Sequence, residues 1–175
     1  ALAHALIPLI ARDRASGLLE LRRETVQLGN WLFPLSIVLL LTSQWWFVQV
    51  FDPKFADSVP LFVTFLLTTP LHFIFARSLL TALADTRLVP FFAAVGVLVH
   101  LALGSYLGTR LGMLGIAAAG VLSFGLEKLA LVYYLWRRHG LPWSSYTPLG
   151  WLLAWTAALG AAYGLWMTVV TAAAQ

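Results

Sequence analysis

Long apolar stretches, almost free of charged side chains, restrict the fold of this chain more than any other feature of its sequence. A helix needs about 20 mainly apolar residues to cross the hydrocarbon core of a bilayer. Only 10% of the 175 residues are charged and 61% are hydrophobic, whereas a soluble domain is about a quarter charged. We therefore predict an all-α, polytopic transmembrane helical bundle. About five spans are expected, at residues 31–51, 59–83, 89–107, 114–136 and 151–170.

The segments around these spans differ in character. Residues 1–11 are apolar but too short to span, and we interpret them as the end of a truncated transmembrane helix. Residues 12–30 are charged, with Leu18, Leu21, Thr25 and Leu28 on one helical face, which predicts an amphipathic cytoplasmic segment lying on the membrane. A helical extension of the first span fits residues 12–30 equally well. The remaining divisions are four spans in residues 31–136, a loop at 137–150 and an additional span in 151–175.

The loop charges predict an orientation. Lys and Arg residues accumulate in cytoplasmic loops of membrane proteins. Here the loops at 12–30, 84–88 and 137–150 carry seven of these residues, against two in the loops on the other side, so we expect those three loops to be cytoplasmic. The basic residues lie at the ends of apolar segments, which favours anchoring at lipid headgroups and not nucleic-acid binding. The seven are Arg12, Arg14, Arg22, Arg23, Arg87, Arg137 and Arg138, and the two are Lys54 and Arg110.

Small residues and one proline predict how the spans pack. Close backbone approach drives helix association in lipid, where the hydrophobic effect is absent. Gly96, His100, Gly104 and Gly108 follow one another at intervals of four and form a stripe that we expect to face another helix. Gly160 and Gly164 form a second small-residue pair with the same expected role. Pro70 lies near the middle of the second span and predicts a kink there.

A few polar side chains fall within the predicted spans. Charged groups there cost about 2.5–3.5 kcal/mol each and usually face a bundle interior or a cavity. Arg77 and Glu127 lie at matching depths above the cytoplasmic side, so an ion pair between them is our hypothesis. Extension of the side chain toward the headgroups fits Arg77 equally well and is the expectation for Lys128. His72 and His100 lie near mid-membrane and complete the set of candidate cavity residues. The sequence has no cysteine and none of the familiar catalytic or metal-binding motifs; we expect neither enzyme activity nor a cofactor.

The order of these features resembles one family of membrane transporters. The runs ALIPLIARDRASGLLEL, VFDPKFADSVPLFVTFLLTTPL and FARSLLTALADTRLVP, followed by GVLVHLALGSYLGTRLGMLGIAAAGVLSFGLEKLALVYYLWRRHG, resemble the C-terminal half of polysaccharide-type flippases. These belong to the multidrug/oligosaccharidyl-lipid/polysaccharide exporter superfamily. In the last run, Gly112, Gly115, Ala117 and Ala118 match the family's glycine-containing helix start. The resemblance covers about residues 6–140.

The resemblance implies a function and a set of partners. It implies a C-terminal lobe like that of multidrug exporters and flippases, in a multi-pass protein of the bacterial cytoplasmic membrane. The implied activity is translocation of an isoprenoid-diphosphate-linked oligosaccharide, or of a cell-envelope precursor, by alternating access. The implied partners are membrane lipids, the lipid-linked glycan and a missing N-terminal half of the same protein. A drug or cation antiporter of the same superfamily and a non-catalytic part of a membrane enzyme are the alternatives.

Overall fold

The computed structural model describes the backbone of residues 2–173 and the side chains of residues 7–170. Within this part the chain forms nine α-helices and no strand, and two short 3₁₀ helices, Pro53–Ser58 and Trp143–Ser145, lie in its connections. The α-helices are α1 (Leu2–Arg12), α2 (Arg14–Leu41), α3 (Ser43–Phe51), α4 (Val59–Leu66), α5 (Thr69–His72), α6 (Ala76–Ala82), α7 (Val89–Leu111), α8 (Met113–His139) and α9 (Leu149–Ala173).

Four of the described helices are long and apolar enough to cross a membrane: α2, α7, α8 and α9. The segments Pro53–Leu66 and Thr69–Ala82 together provide a fifth span if they are counted as one, although their axes differ by 46°. This is a helical membrane protein by the length and composition of its helices, and the expected number of about five spans includes the bent pair.

The bend in the second predicted span begins just before Pro70. Helix α4 ends at Leu66, and α5 begins at Thr69 with Pro70 in its first turn. Because proline has no backbone N–H, it cannot continue the hydrogen-bond ladder of α4. At the end of α4, the carbonyl of Phe65 accepts from both the N–H and the hydroxyl of Thr68, at 3.0 and 2.7 Å. The same span is interrupted again at residues 73–75, where no proline or glycine marks the break.

The first predicted span is divided differently from the expectation. Helix α2 starts at Arg14, after Asp13 accepts hydrogen bonds from the N–H groups of Ala15 and Ser16, and it runs without a break to Leu41. Residues 14–30 are therefore a helical extension of the first span and not a separate surface helix. A turn at Thr42 then separates α3, which ends at Phe51.

Two apolar clusters hold the helices together. One joins α1, α2, α6, α8 and α9 and includes the fully buried Phe33, Leu79 and Leu135. The other lies toward the opposite end and joins α2, α3, α4 and α9 around Leu40 and Leu159. Helix α7 packs along α8, and its remaining faces expose large apolar side chains, as expected of a helix that meets lipid or further helices.

Candidate functional site

An ion pair between two helices forms the centre of the candidate site. Arg77 lies in the first turn of α6 and Glu127 lies halfway along α8, and a guanidinium Nη2 of Arg77 donates to Oε1 of Glu127. The side chain of Arg77 is 49% exposed, whereas that of Glu127 is only 12% exposed. The structure thus contains the ion pair between Arg77 and Glu127 that their matching depths in the membrane predict.

Lys128 completes the charged group, but not as the sequence predicts. Its Nζ lies 3.4 Å from the carbonyl oxygen of Ile74, to which it donates, and 5.0 Å from the centre of the Phe124 ring. The Ile74 carbonyl lies at the interruption between α5 and α6, where the ladder of helical hydrogen bonds is broken. The prediction that Lys128 extends toward the headgroups is therefore wrong. We call Arg77, Glu127 and Lys128 the charged cluster.

The charged cluster has one more cation than anion. Arg77 pairs with the carboxylate of Glu127, whereas Lys128 donates to the Ile74 carbonyl and has no carboxylate partner among the described residues. Arg77 has five N–H donors in a planar fork, and about half of its side chain remains exposed beside the pair. The Arg77 guanidinium can therefore bind an additional anion by donating charge-assisted hydrogen bonds, which are about twice as strong as neutral ones.

The two histidines lie on either side of this cluster. The ring of His72, on α5, lies 5.2 Å from the ring of Phe124, and its Nε2 is 3.5 Å from the Thr68 hydroxyl. His100, on α7, lines a cavity of about 260 Å³ together with Glu127 and Phe124. The Nδ1 of His100 is buried and has no hydrogen-bond partner among the described residues. His72, His100 and Glu127 thus lie near the Phe124 ring, and Arg77 joins them through its pair with Glu127. The functional role of these four residues stays a prediction.

The glycine stripe of α7 faces α8. A Cβ placed on Gly96 would lie 3.3 Å from Oε2 of Glu127, and one on Gly108 would lie 3.1 Å from Ile116. At Gly104 the nearest atom is the Cβ of Ala119, at 3.9 Å. The absence of side chains at these three glycines allows α7 to approach α8 closely.

The second small-residue pair does not pack as expected. A Cβ on Gly160 or Gly164 would meet no atom within 4 Å. Helix α9 instead packs through Leu159, Ala162 and Trp166, which lie in the second apolar cluster. Within the described part of the chain, these two glycines face open space and do not form a helix contact.

One feature near the site has no signal in the sequence. The interruption at residues 73–75 exposes the Ile74 carbonyl to Lys128, yet the local residues Phe73, Ile74 and Phe75 are compatible with a continuous apolar helix. Phe73 and Ile74 are buried in the first apolar cluster. Tertiary packing therefore places the break, and no local pattern could have predicted it.

Comparison of the chain with models of protein families, with curated proteins and with solved structures gives no match. The site must therefore be interpreted from its own geometry and charge.

Proposed function

We propose that this chain forms part of a membrane transporter that moves an isoprenoid-diphosphate-linked oligosaccharide, or a similar cell-envelope precursor, across the cytoplasmic membrane by alternating access. The observation that carries the proposal is the excess positive charge of the charged cluster, which lies on α8 and on the last part of the bent pair Pro53–Leu66 and Thr69–Ala82. A diphosphate can leave water only if charged donors replace its hydration. Arg77 is suited to this because its guanidinium can bind phosphate oxygens in a bidentate manner.

The bent second span offers a route for the movement that such transport needs. Arg77 follows directly after the interruption at residues 73–75, and α6 carries it away from the direction of α4. Discontinuous helices are common where transporters bind their substrates, because the backbone N–H and carbonyl groups freed at the break can contact the substrate or a coupling ion. A change in the angle between α4 and α6 would move Arg77 relative to Glu127 on α8.

The proposal can be tested on the full-length protein that contains this chain, reconstituted in vesicles with a fluorescent isoprenoid-diphosphate sugar. Transport is measured as the fraction of label that a membrane-impermeant quencher reaches with time. Arg77→Ala should lower the rate by at least about tenfold, the equivalent of losing one strong phosphate contact. Arg110→Ala is the control, since Arg110 lies at the far end of α7 over the ring of Tyr106, and its rate should stay within about twofold of wild type.

A second variant separates substrate binding from damage to the fold. Arg77→Ala leaves the largely buried carboxylate of Glu127 without its partner, which by itself destabilises the protein. Arg77→Ala/Glu127→Gln removes that unpaired charge, so the double variant should recover wild-type thermal stability but not transport. Wild-type transport by a stably folded double variant would refute the proposed role of Arg77.

The same variants distinguish the antiporter alternative. An antiporter for cationic compounds needs a carboxylate that exchanges protons or cations with its substrate. If the wild-type protein moves no lipid-linked sugar but exports a cationic dye under a pH gradient, and Glu127→Gln abolishes that export, the flippase proposal is wrong and the antiporter is favoured.

A further inference from the structure

A second polar cavity lies at the end of the bundle where the basic loop residues collect. The turn between α6 and α7 and the last turns of α8 border an open cavity of about 430 Å³. Its polar lining comes from Asp85 and Arg87 of the turn and from Tyr134, Arg138 and His139 of α8. We call it the basic-end cavity. It is separate from the charged cluster, since it shares no lining residue with it.

The one acidic residue of this cavity is already occupied. Oδ2 of Asp85 accepts a hydrogen bond from the Tyr134 hydroxyl at 2.9 Å and another from Nε2 of His139 at 2.8 Å. The hydrogen bond from His139, followed by that from Tyr134, lowers the pKa of Asp85 below its ordinary value. The carboxylate therefore holds the turn against α8 and has partners of its own, which limits its competition for the arginines.

The carbonyl end of α8 is also closed. Gly140 adopts a left-handed conformation with φ of 63°, and its N–H donates to the carbonyl of Trp136 while Leu141 donates to that of Leu135. Arg14 reaches across from the start of α2, with Nη2 3.5 Å from the carbonyl oxygen of His139. Because these carbonyls have donors, the negative end of the helix is masked and an anion would meet mainly guanidinium groups.

The surroundings of the cavity fit the headgroup layer of a membrane. Phe91, Tyr133 and Trp136 are 59%, 59% and 53% exposed; Phe91 lies in the first turn of α7, just after the cavity residue Leu88, and the other two lie in the last turns of α8. Exposed aromatic rings beside basic residues are typical of the boundary between hydrocarbon and headgroups. Basic pockets between helices at this level are suited to phosphate-containing lipid headgroups.

We propose that the basic-end cavity binds the phosphate headgroup of an anionic membrane lipid between Arg87 and Arg138. The flanking aromatic rings favour a lipid over a soluble phosphate, because they supply an apolar surface for the acyl chains beside the charged headgroup. The bound headgroup would join the turn between α6 and α7 to the end of α8, in addition to the hydrogen bonds of Asp85. This inference does not depend on the proposed transport activity.

The test is native mass spectrometry of the full-length protein in detergent, titrated with phosphatidylglycerol or with phosphatidylcholine of the same chain length. Removal of each arginine should weaken phosphatidylglycerol binding by about fivefold, so that Arg87→Gln/Arg138→Gln weakens it by about 25-fold. Arg138→Lys retains the charge and should remain within about threefold of wild type. Arg137→Gln is the matched control, because Arg137 is the exposed neighbour of Arg138 and does not line the cavity.

Each outcome decides the inference. Equal affinity for phosphatidylglycerol and phosphatidylcholine in the wild type would overturn it, as would equal weakening by Arg137→Gln and Arg138→Gln. If inorganic phosphate at millimolar concentration displaces phosphatidylglycerol and raises the melting temperature as much as the lipid does, the ligand is a soluble phosphate and the lipid assignment is wrong. Should the double variant fail to fold, the single variants Arg87→Gln and Arg138→Gln carry the same comparison with Arg137→Gln.

Discussion

Replacing Gly115 by alanine should force apart the ends of α7 and α8 that meet beside Gly112. A Cβ on Gly115 would lie 2.1 Å from the carbonyl oxygen of Leu107 and 2.4 Å from its carbonyl carbon, whereas ordinary van der Waals contact begins at 3.4 Å. A flexible side chain could rotate away from the new methyl group, but these atoms belong to the backbone of α7. The helices must therefore move by about 1 Å to admit the methyl group.

The magnitude follows from the rigidity of this contact. Overpacking a close-packed interior costs about 1–3 kcal/mol, and a contact with backbone lies at the upper end of that range. Alanine recovers up to about 1 kcal/mol of helix propensity relative to glycine. The net loss for Gly115→Ala is thus about 1–2 kcal/mol, which for a domain of this size corresponds to a melting temperature lower by about 2–8 °C.

Thermal unfolding in detergent, followed by circular dichroism, measures this change. Gly160→Ala is the matched control, because it makes the same substitution inside a long helix where a Cβ would meet no atom within 4 Å. Its melting temperature should equal or exceed that of wild type. Gly104→Ala should also be tolerated, because the nearest atom is 3.9 Å away. If the melting temperature of Gly115→Ala equals or exceeds that of wild type, as expected for Gly160→Ala, then α7 and α8 do not approach each other closely at Leu107.

Three further changes test other parts of the structure. Pro70→Ala restores a backbone donor, so the 46° bend should decrease; distances between spin labels on α4 and α6 would show this, and unchanged distances would contradict it. Tyr163→Phe removes the hydroxyl 3.3 Å from that of Thr64 and should cost about 0.6 kcal/mol in thermal unfolding; no measurable loss would remove this contact from the account. The pKa of Asp85 is lowered, chiefly by the hydrogen bond from His139, below 3.8, so the stability gained over Asp85→Asn should be complete above that pH and decline below it. If the stability advantage of wild type over Asp85→Asn is already lost at pH 5, the pKa of Asp85 is not lowered and the prediction is wrong.

The sequence predicts the long apolar helices α7, α8 and α9 well, because hydropathy follows the apolar composition that makes a helix a candidate span. It does not predict where each helix ends. The charged residues 14–30 continue in the same helix as the apolar residues after them, since a helix can pass from polar to apolar surroundings without a break. The turn at Thr42 lies within an apolar stretch without proline or glycine, and it is stabilised by the Thr42 hydroxyl on the Val38 carbonyl and by Trp46 on that of Leu39.

The charged pair could be predicted, whereas the partner of Lys128 could not. Arg77 and Glu127 each need an opposite charge within the span, and their depths leave few choices. Lys128 instead donates to the Ile74 carbonyl, which is available only because packing interrupts the second span. Small-residue spacing is weaker still: Gly160 and Gly164 have the same spacing as Gly104 and Gly108, yet only the latter pair meets another helix among the described residues.

Glu127 shows that the packing stripe and the charged cluster are parts of one arrangement. Its Oε1 accepts from Arg77 on α6, and its Oε2 points toward Gly96 on α7, where a Cβ would lie only 3.3 Å away. A side chain at position 96 would therefore crowd the Glu127 carboxylate. Because residue 96 is glycine, Glu127 has room to adopt the conformation that reaches Arg77 on α6. Close packing of two helices in lipid would by itself require only small residues along this stripe. Gly96 also lets α7 pack over one side of the Glu127 carboxylate while Arg77 of α6 pairs with the other side. The three helices α6, α7 and α8 therefore meet at this one charged group.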